Sequence, residues 1–255
     1  MKLTKSFLIM LSLSVILGLF LIDNSNVYAK VLWMDTFDDA KIDAKYKFMN
    51  NPGKWIEKDG VVSQTNPAPA DHCYLVYQGG FAEPHAVIMK VRIDDWGDND
   101  LSRAGIGVRL DQNDGAGYAF LIHDNLGNME FLNDHLAWAN NDTPPPFGKV
   151  EVGKWYWMKA EISDAGFKGK IWPEAETEPT KWLLDSKFTF GAVRAVSGNV
   201  GLNGGSNTGA GKTLVSFDNW GICEKTDECT PKIFAAPVES SGKLSNTWGG
   251  IKLSY

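Results

Sequence analysis

A sustained 3.6-residue apolar period is missing from this chain beyond its first 29 residues, which argues against a helical architecture. Positive charge is not in excess: 25 Lys and Arg stand against 31 Asp and Glu, a net charge of -6. That balance lacks the basic footprint of a nucleic-acid binder, so no nucleic acid is expected among the partners. No second long apolar run follows the N-terminal one, so nothing after it reads as a membrane span. Histidine and cysteine are scarce, at four and three residues, and the histidines are scattered singly. No linker of biased composition and no internal repeat divides the sequence, so one domain is expected.

What is present begins with a leader. Lys2 and Lys5 precede an uncharged, mostly apolar run over 7–22, and Val27-Tyr28-Ala29 stands at the spacing of a cleavage site. Residues 1–29 therefore read as a secretory signal peptide, with an uncleaved membrane anchor as the rival reading; the signal peptide predicts a secreted or cell-surface protein with no membrane partner once the leader is cut. Residues 30–224 are the expected domain, and 225–255 a tail in which the composition turns polar and small. Cys223 and Cys229 lie six apart, a spacing that suits a small disulfide loop in an exported protein. Cys73 is left over in an apolar run and reads as a buried inert thiol.

Short strands are expected at 31–37, 55–64, 74–77, 86–93, 105–110, 118–123, 129–133, 155–162, 167–172, 199–202 and 213–222. These runs are rich in Val, Ile, Tyr, Phe and Trp, and the gaps carry Gly, Asn, Asp and Pro. The pattern predicts an all-β protein, a two-sheet antiparallel jelly-roll sandwich. Alternation then sorts side chains by face. Val87, Met89, Val91 and Ile93 share one face; so do Ile106, Val108 and Leu110, then Tyr156, Met158, Ala160 and Ile162, then Phe167 and Ile171. The opposite faces carry Arg92, Arg109, Trp157, Lys159, Glu161 and Trp172, and that mixture of Trp with charge is where a ligand is expected.

Several phrases, in this order, resemble the concanavalin A-like and laminin-G-like jelly rolls of secreted bacterial proteins. They are Asp35-Thr36-Phe37-Asp38-Asp39, Trp55-Ile56-Glu57-Lys58-Asp59-Gly60-Val61, Gly105-Ile106-Gly107-Val108-Arg109 with Gly117-Tyr118, and Trp155-Tyr156-Trp157-Met158-Lys159. Lys170-Ile171-Trp172-Pro173 with Glu178-Pro179 and Trp182, Asn199-Val200-Gly201-Leu202 and Phe217-Asp218-Asn219-Trp220 complete the series. The resemblance spans roughly residues 31–222 and implies two packed antiparallel sheets with the first and last strands adjacent. It also implies a structural Ca²⁺ where those strands meet, with Asp35 and Asp218 in the matching phrases; two carboxylates plus carbonyls suit that hard ion.

The glucanases of that group carry Glu-x-Asp-x-x-Glu on one strand, and this chain has no match. Its nearest phrase, Glu161-Ile162-Ser163-Asp164, has the wrong spacing. Retaining cleavage needs two carboxyls about 5–5.5 Å apart, and no expected strand alternates acidic residues on one face. Glu174, Glu176 and Glu178 do alternate, but Pro173 and Pro179 bracket them in what reads as a solvated loop. The Gly205–Thr213 stretch departs from a phosphate-binding loop at Ser206 and precedes a strand, not a helix.

Carbohydrate is the expected partner, a polysaccharide or glycan. An aromatic face covers the C–H side of a pyranose while polar side chains take its hydroxyls. Trp157 and Trp172 with Arg92, Arg109, Lys159 and Glu161 could supply both, with Tyr118, Trp96 and Trp138 as a rim. The reading is a secreted carbohydrate-binding or adhesion module without catalysis of its own. One alternative is a glycoside-processing hydrolase, since the 3-keto-disaccharide hydrolases are similar in fold and phrasing; Glu161, His123 and His135 would then be the first bases to test. Another is a laminin-G-like module that binds protein.

Overall fold

The computed structural model describes residues 30–49, 54–67, 73–96, 102–111, 113, 116–123, 127–133, 137–187, 195–206 and 212–235, without the side chains of 133–142. The leader, His135, the side chain of Trp138 and residues 236–255 therefore lie outside the described residues. Fifteen strands are described. They are β1 (Val31–Asp35), β2 (Tyr46–Met49), β3 (Trp55–Lys58), β4 (Val61–Gln64), β5 (Tyr74–Phe81), β6 (His85–Asp95), β7 (Arg103–Leu110) and β8 (Tyr118–His123). Then come β9 (Asn128–Asn133), β10 (Ala137–Thr143), β11 (Trp155–Ile162), β12 (Gly166–Pro173), β13 (Leu184–Lys187), β14 (Gly198–Asn203) and β15 (Leu214–Cys223). Among the described residues no helix is long and apolar enough to cross a membrane.

Two antiparallel sheets form a sandwich. The first runs β13-β12-β11-β6-β15-β4-β3, with β1 also paired to β15, and the second runs β10-β9-β8-β7-β14-β5-β2. First and last strands are thus neighbours, Asp35 opposite Trp220. Val87, Met89, Val91, Ile93, Ile106, Val108, Tyr156, Met158, Ala160, Ile162, Phe167 and Ile171 all enter the central core, as alternation requires. Each large apolar side chain so buried is worth about 1.5–3 kcal/mol. The layers meet closely: Phe131 stacks on Phe167 at 4.6 Å, and a Cβ added at Gly169 of β12 would come within 2.7 Å of the Phe120 ring.

Two expectations fail for local reasons. The run 55–64 is not one strand but a hairpin, because Asp59 and Gly60 both have positive φ, at 55° and 78°, as a type I′ turn demands. Leu110 leaves the central core for a small cluster on the outer face of the second sheet, with Met49, Tyr74 and Val76. The cause is a bulge. Arg109 has φ 51°, and the register of β14 against β7 slips between Asn199, opposite Leu110, and Gly201, opposite Gly107. One extra residue there inverts the facing of everything beyond it.

The expected tail also begins inside the fold. Cys223 and Cys229 are bonded, with Cα atoms 5.5 Å apart, and the chain then makes a 3-10 turn at Pro231–Phe234. Ile233 and the disulfide join Ala86, Ile88, Trp157 and Trp172 in a second apolar cluster on the outer face of the first sheet, against which Phe234 packs. Cys73 is a buried thiol.

Candidate functional site

The outer face of the first sheet is ordered by the turn joining β11 to β12. Ser163 N–H donates to Gly166 O at 3.0 Å, so Ile162 faces Phe167 and the register follows. Trp157 stands opposite Trp172, Lys159 opposite Lys170, and Glu161 opposite Lys168. The sheet thus carries an aromatic rung, a rung of two like charges and an ion-paired rung, side by side.

The aromatic rung is closed. Trp157 and Trp172 are 7% and 2% exposed, and Phe234 stacks on Trp157 at 5.8 Å. These two rings, expected to meet a ligand, instead anchor the segment beyond the disulfide. The other rungs line a groove of about 710 Å³. Lys159, Lys170 and Glu161 lie along its floor, Glu178, Pro179 and Trp182 of the β12–β13 loop form one wall, and Glu224–Thr230 of the disulfide loop form the other.

Charge in the groove is concentrated on one oxygen. Lys159 Nζ and Lys170 Nζ donate to Oε1 of Glu178 at 2.9 and 2.7 Å. The lysine side chains are 2% and 7% exposed and the glutamate 20%. Burial, together with the neighbouring Lys170 charge, outweighs Glu178 and holds the Lys159 ammonium below the usual lysine range. Lys170 also donates to Pro179 O at 2.8 Å and lies over the Trp182 ring at 4.5 Å. Glu161 is taken by Lys168 at 3.0 Å. His85, at the groove's end, donates from Nδ1 to Glu83 O at 2.8 Å; burial first, then Arg109, lowers its pKa to about 4.

Other expected ligand residues are elsewhere. Arg92 lies six residues along β6 from Ala86, the partner of Glu161, which is about 20 Å at strand rise. There it pairs with Asp94 at 2.6 Å and covers Trp155. Arg109 belongs to the second sheet and is fully buried, with NH groups on Ala82 O, Ala195 O and Asp164 Oδ1 at 3.2–3.4 Å. Tyr118 and Trp96 are core residues, Tyr118 stacked with Phe131. Alternation within a strand states which residues share a face, not which sheet they join.

Asp35 and Asp218, expected at a Ca²⁺ site, lie on the paired first and last strands, and each has partners within the protein. Asp35 accepts from Phe37 N–H at 3.0 Å and from Tyr46 O–H at 2.8 Å, and so ends a chain that starts at the Trp33 indole N–H. Asp218 binds Lys90 at 2.5 Å and its own neighbour's Asn219 N–H at 2.6 Å. Among the described residues no three His, Cys, Asp or Glu side chains are placed to hold one ion.

Three functional-looking groups escaped the sequence reading. By pattern alone Glu178 belongs to a solvated loop, and nothing in the sequence assigns Lys170 or Trp182 to a ligand. The four-residue turn 163–166 could have revealed the opposed lysines, because it fixes the register; nothing local marks Glu178 as their partner. On the other sheet, Arg103 and His123 flank Glu130, with Arg103 Nε to Glu130 Oε2 at 3.2 Å and His123 Nδ1 to the same oxygen at 3.5 Å.

The architecture is that of a jelly-roll-like β-sandwich, and solved structures share it. The carbohydrate binding module CBM66 from Bacillus subtilis superposes with a TM-score of 0.52 at 15% identity, over 70% of this chain and 95% of that one. A xylan β-1,4-xylosidase from Bacillus halodurans C-125 gives 0.50 at 14% identity over 75% of this chain, which spans 39% of that enzyme's length. At such identity the likeness is one of fold. No family model matches the chain, and no curated protein does.

Proposed function

We propose that this protein is an exported carbohydrate-binding module whose ligand lies in the groove between the β12–β13 loop and the disulfide loop. The observation that carries the reading is the groove itself. It sets a half-buried indole, Trp182, beside the buried Lys159 and Lys170 and the half-buried Glu178. That combination gives a pyranose both an apolar platform and hydroxyl partners. The shared fold with a carbohydrate binding module supports it, and the leader over 1–29 with the Cys223–Cys229 bond supports export.

A panel of neutral and acidic polysaccharides and oligosaccharides, read for both retained protein and released sugar, tests the reading. Saturable retention without product is expected, and Trp182→Ala should weaken it about tenfold or more, some 1.4 kcal/mol, while the fold stays intact. Retention unaffected by that change would remove the groove from the account.

A hydrolase is the second reading, favoured by one observation: Glu130 sits between Arg103 and His123 on the opposite sheet. Released sugar that disappears in Glu130→Gln would move the chemistry there. Binding stands first because glycoside cleavage ordinarily uses two carboxyls, and Glu130 is the one carboxylate of that set.

A further inference from the structure

We propose that the groove takes a carboxylated sugar, with Lys159 and Lys170 forming the subsite for its carboxylate. This rests on the groove being the glycan site and adds the class of glycan.

Like charges directly across an antiparallel pair destabilise a sheet, and Lys159 stands directly across from Lys170. Withdrawing each ammonium from water costs several kcal/mol unless a counter-charge is near. Both are withdrawn almost completely, and both depend on a single carboxylate oxygen. With Glu161 already paired to Lys168, the two ammonium groups hold two positive charges against the one carboxylate of Glu178. Of the other carboxylates lining the groove, Glu161 is committed to Lys168, and Glu224 on the wall pairs with Lys30 at 3.0 Å. A ligand carboxylate entering beside Glu178 would bring that count to two against two and give each ammonium its own anionic acceptor. Such charge-assisted hydrogen bonds are about twice as strong as neutral ones. Trp182 then lies where the ring carrying that carboxylate would rest, one face already under Lys170.

The mouth of the groove sharpens the specificity. Glu224 and Asp227 of the disulfide loop stand there with Lys225, so the rim offers a polyanion no net attraction. The whole chain is acidic as well. Preference should follow a single carboxylate placed on the floor, not charge density along a polymer.

The test uses the full chain and matched ligands: galacturonate, glucuronate and mannuronate oligosaccharides, each beside its carboxyl-reduced counterpart, with a sulfated galactan as a further arm. At least one acidic member is expected to bind about tenfold more tightly than its reduced form. Lys170→Gln should erase that difference, with its unfolding transition measured alongside; the reduced ligands give the same comparison without a variant. Equal binding of acidic and reduced forms, still lost in Trp182→Ala, would overturn the carboxylate subsite and leave the groove. Equal binding of the sulfated polymer would also overturn it, since charge alone would then suffice. If no acidic member binds, the inference fails; if in addition no neutral member binds through Trp182, the groove fails with it.

Discussion

Lys159 of β11 and Lys170 of β12 stand directly across the sheet from each other and share one oxygen of Glu178, at 2.9 and 2.7 Å. A like-charged rung in a buried position is a local conflict that a loop residue resolves. The lysines belong to the sheet, and their partner comes from a proline-flanked loop eight residues past Lys170.

Glu178→Gln removes the carboxylate to which both lysines donate. The two ammonium groups would remain buried without a counter-charge, which ordinarily costs about 3–5 kcal/mol, trimmed here because Glu178 is partly exposed. A loss of about 2–3 kcal/mol in urea unfolding is expected. Replacing all three residues with apolar ones, Lys159→Met with Lys170→Met and Glu178→Leu, should restore most of that stability and still abolish glycan retention. A single variant as stable as the parent would show that the shared oxygen contributes nothing.

Arg109 should behave as a structural residue. Its guanidinium holds the Ala82 and Ala195 carbonyls of two different loops while its backbone makes the bulge in β7. Charged hydrogen bonds of this kind are worth about 1.5–3 kcal/mol each. Arg109→Met is expected to lower stability by about 3 kcal/mol and leave glycan retention per folded molecule unchanged. Reduced affinity at full folding would return Arg109 to the ligand.

The two-sheet sandwich and its inward faces were legible from strand alternation because a period of two is imposed by backbone geometry alone. Leu110 broke that rule, since a bulge at Arg109 depends on pairing with β14 and has no signature in β7 itself. The Asp59-Gly60 hairpin was legible and overlooked; two residues that tolerate positive φ between apolar alternations announce a turn. That Lys159 and Glu161 share the outer face of the first sheet follows from alternation in their own strand. Trp157 and Trp172 share that face, but they are closed by Ile233 and Phe234, residues far along the chain whose packing no local pattern encodes. Glu178 was hidden for the same reason. Its role exists only once β11, β12 and their loop converge.

Two buried groups should give stability opposite pH dependences. Unfolded His85 takes its proton near pH 6.5, whereas burial lowers the folded value to about 4. Its contribution is therefore complete above pH 6.5 and lost as the pH falls toward 4, about 2 kcal/mol between pH 7 and 4.5. Glu57 runs the other way: burial, then a hydrogen bond with Asp39, raises its carboxyl from 4.5 to about 7, so stability is lost as pH rises through that window. Urea unfolding across pH 4.5–8 should show His85→Gln flattening the acid limb and Glu57→Gln the neutral limb. Unchanged limbs in both variants would mean that neither group titrates as its surroundings require.

Reducing the Cys223–Cys229 bond tests whether the disulfide loop is part of the binding machinery. The bond closes a short loop, for which restricting the unfolded chain contributes about 2 kcal/mol. Its position makes a further difference: it belongs to the outer-face cluster with Trp157 and Trp172, not to the core between the sheets. Ile233 follows closely, packed so tightly over Gly221 that an added Cβ there would lie 2.6 Å from its Cδ1. Loss of the bond should therefore loosen the loop that walls the groove and let water reach the two indoles, while the sandwich stays folded. A red shift in tryptophan emission, an unfolding midpoint lowered by the equivalent of about 2 kcal/mol and weaker glycan retention are expected together. If emission shifts but retention does not, the loop covers the sheet without shaping the groove; if neither changes, the cluster holds the segment in place without the bond.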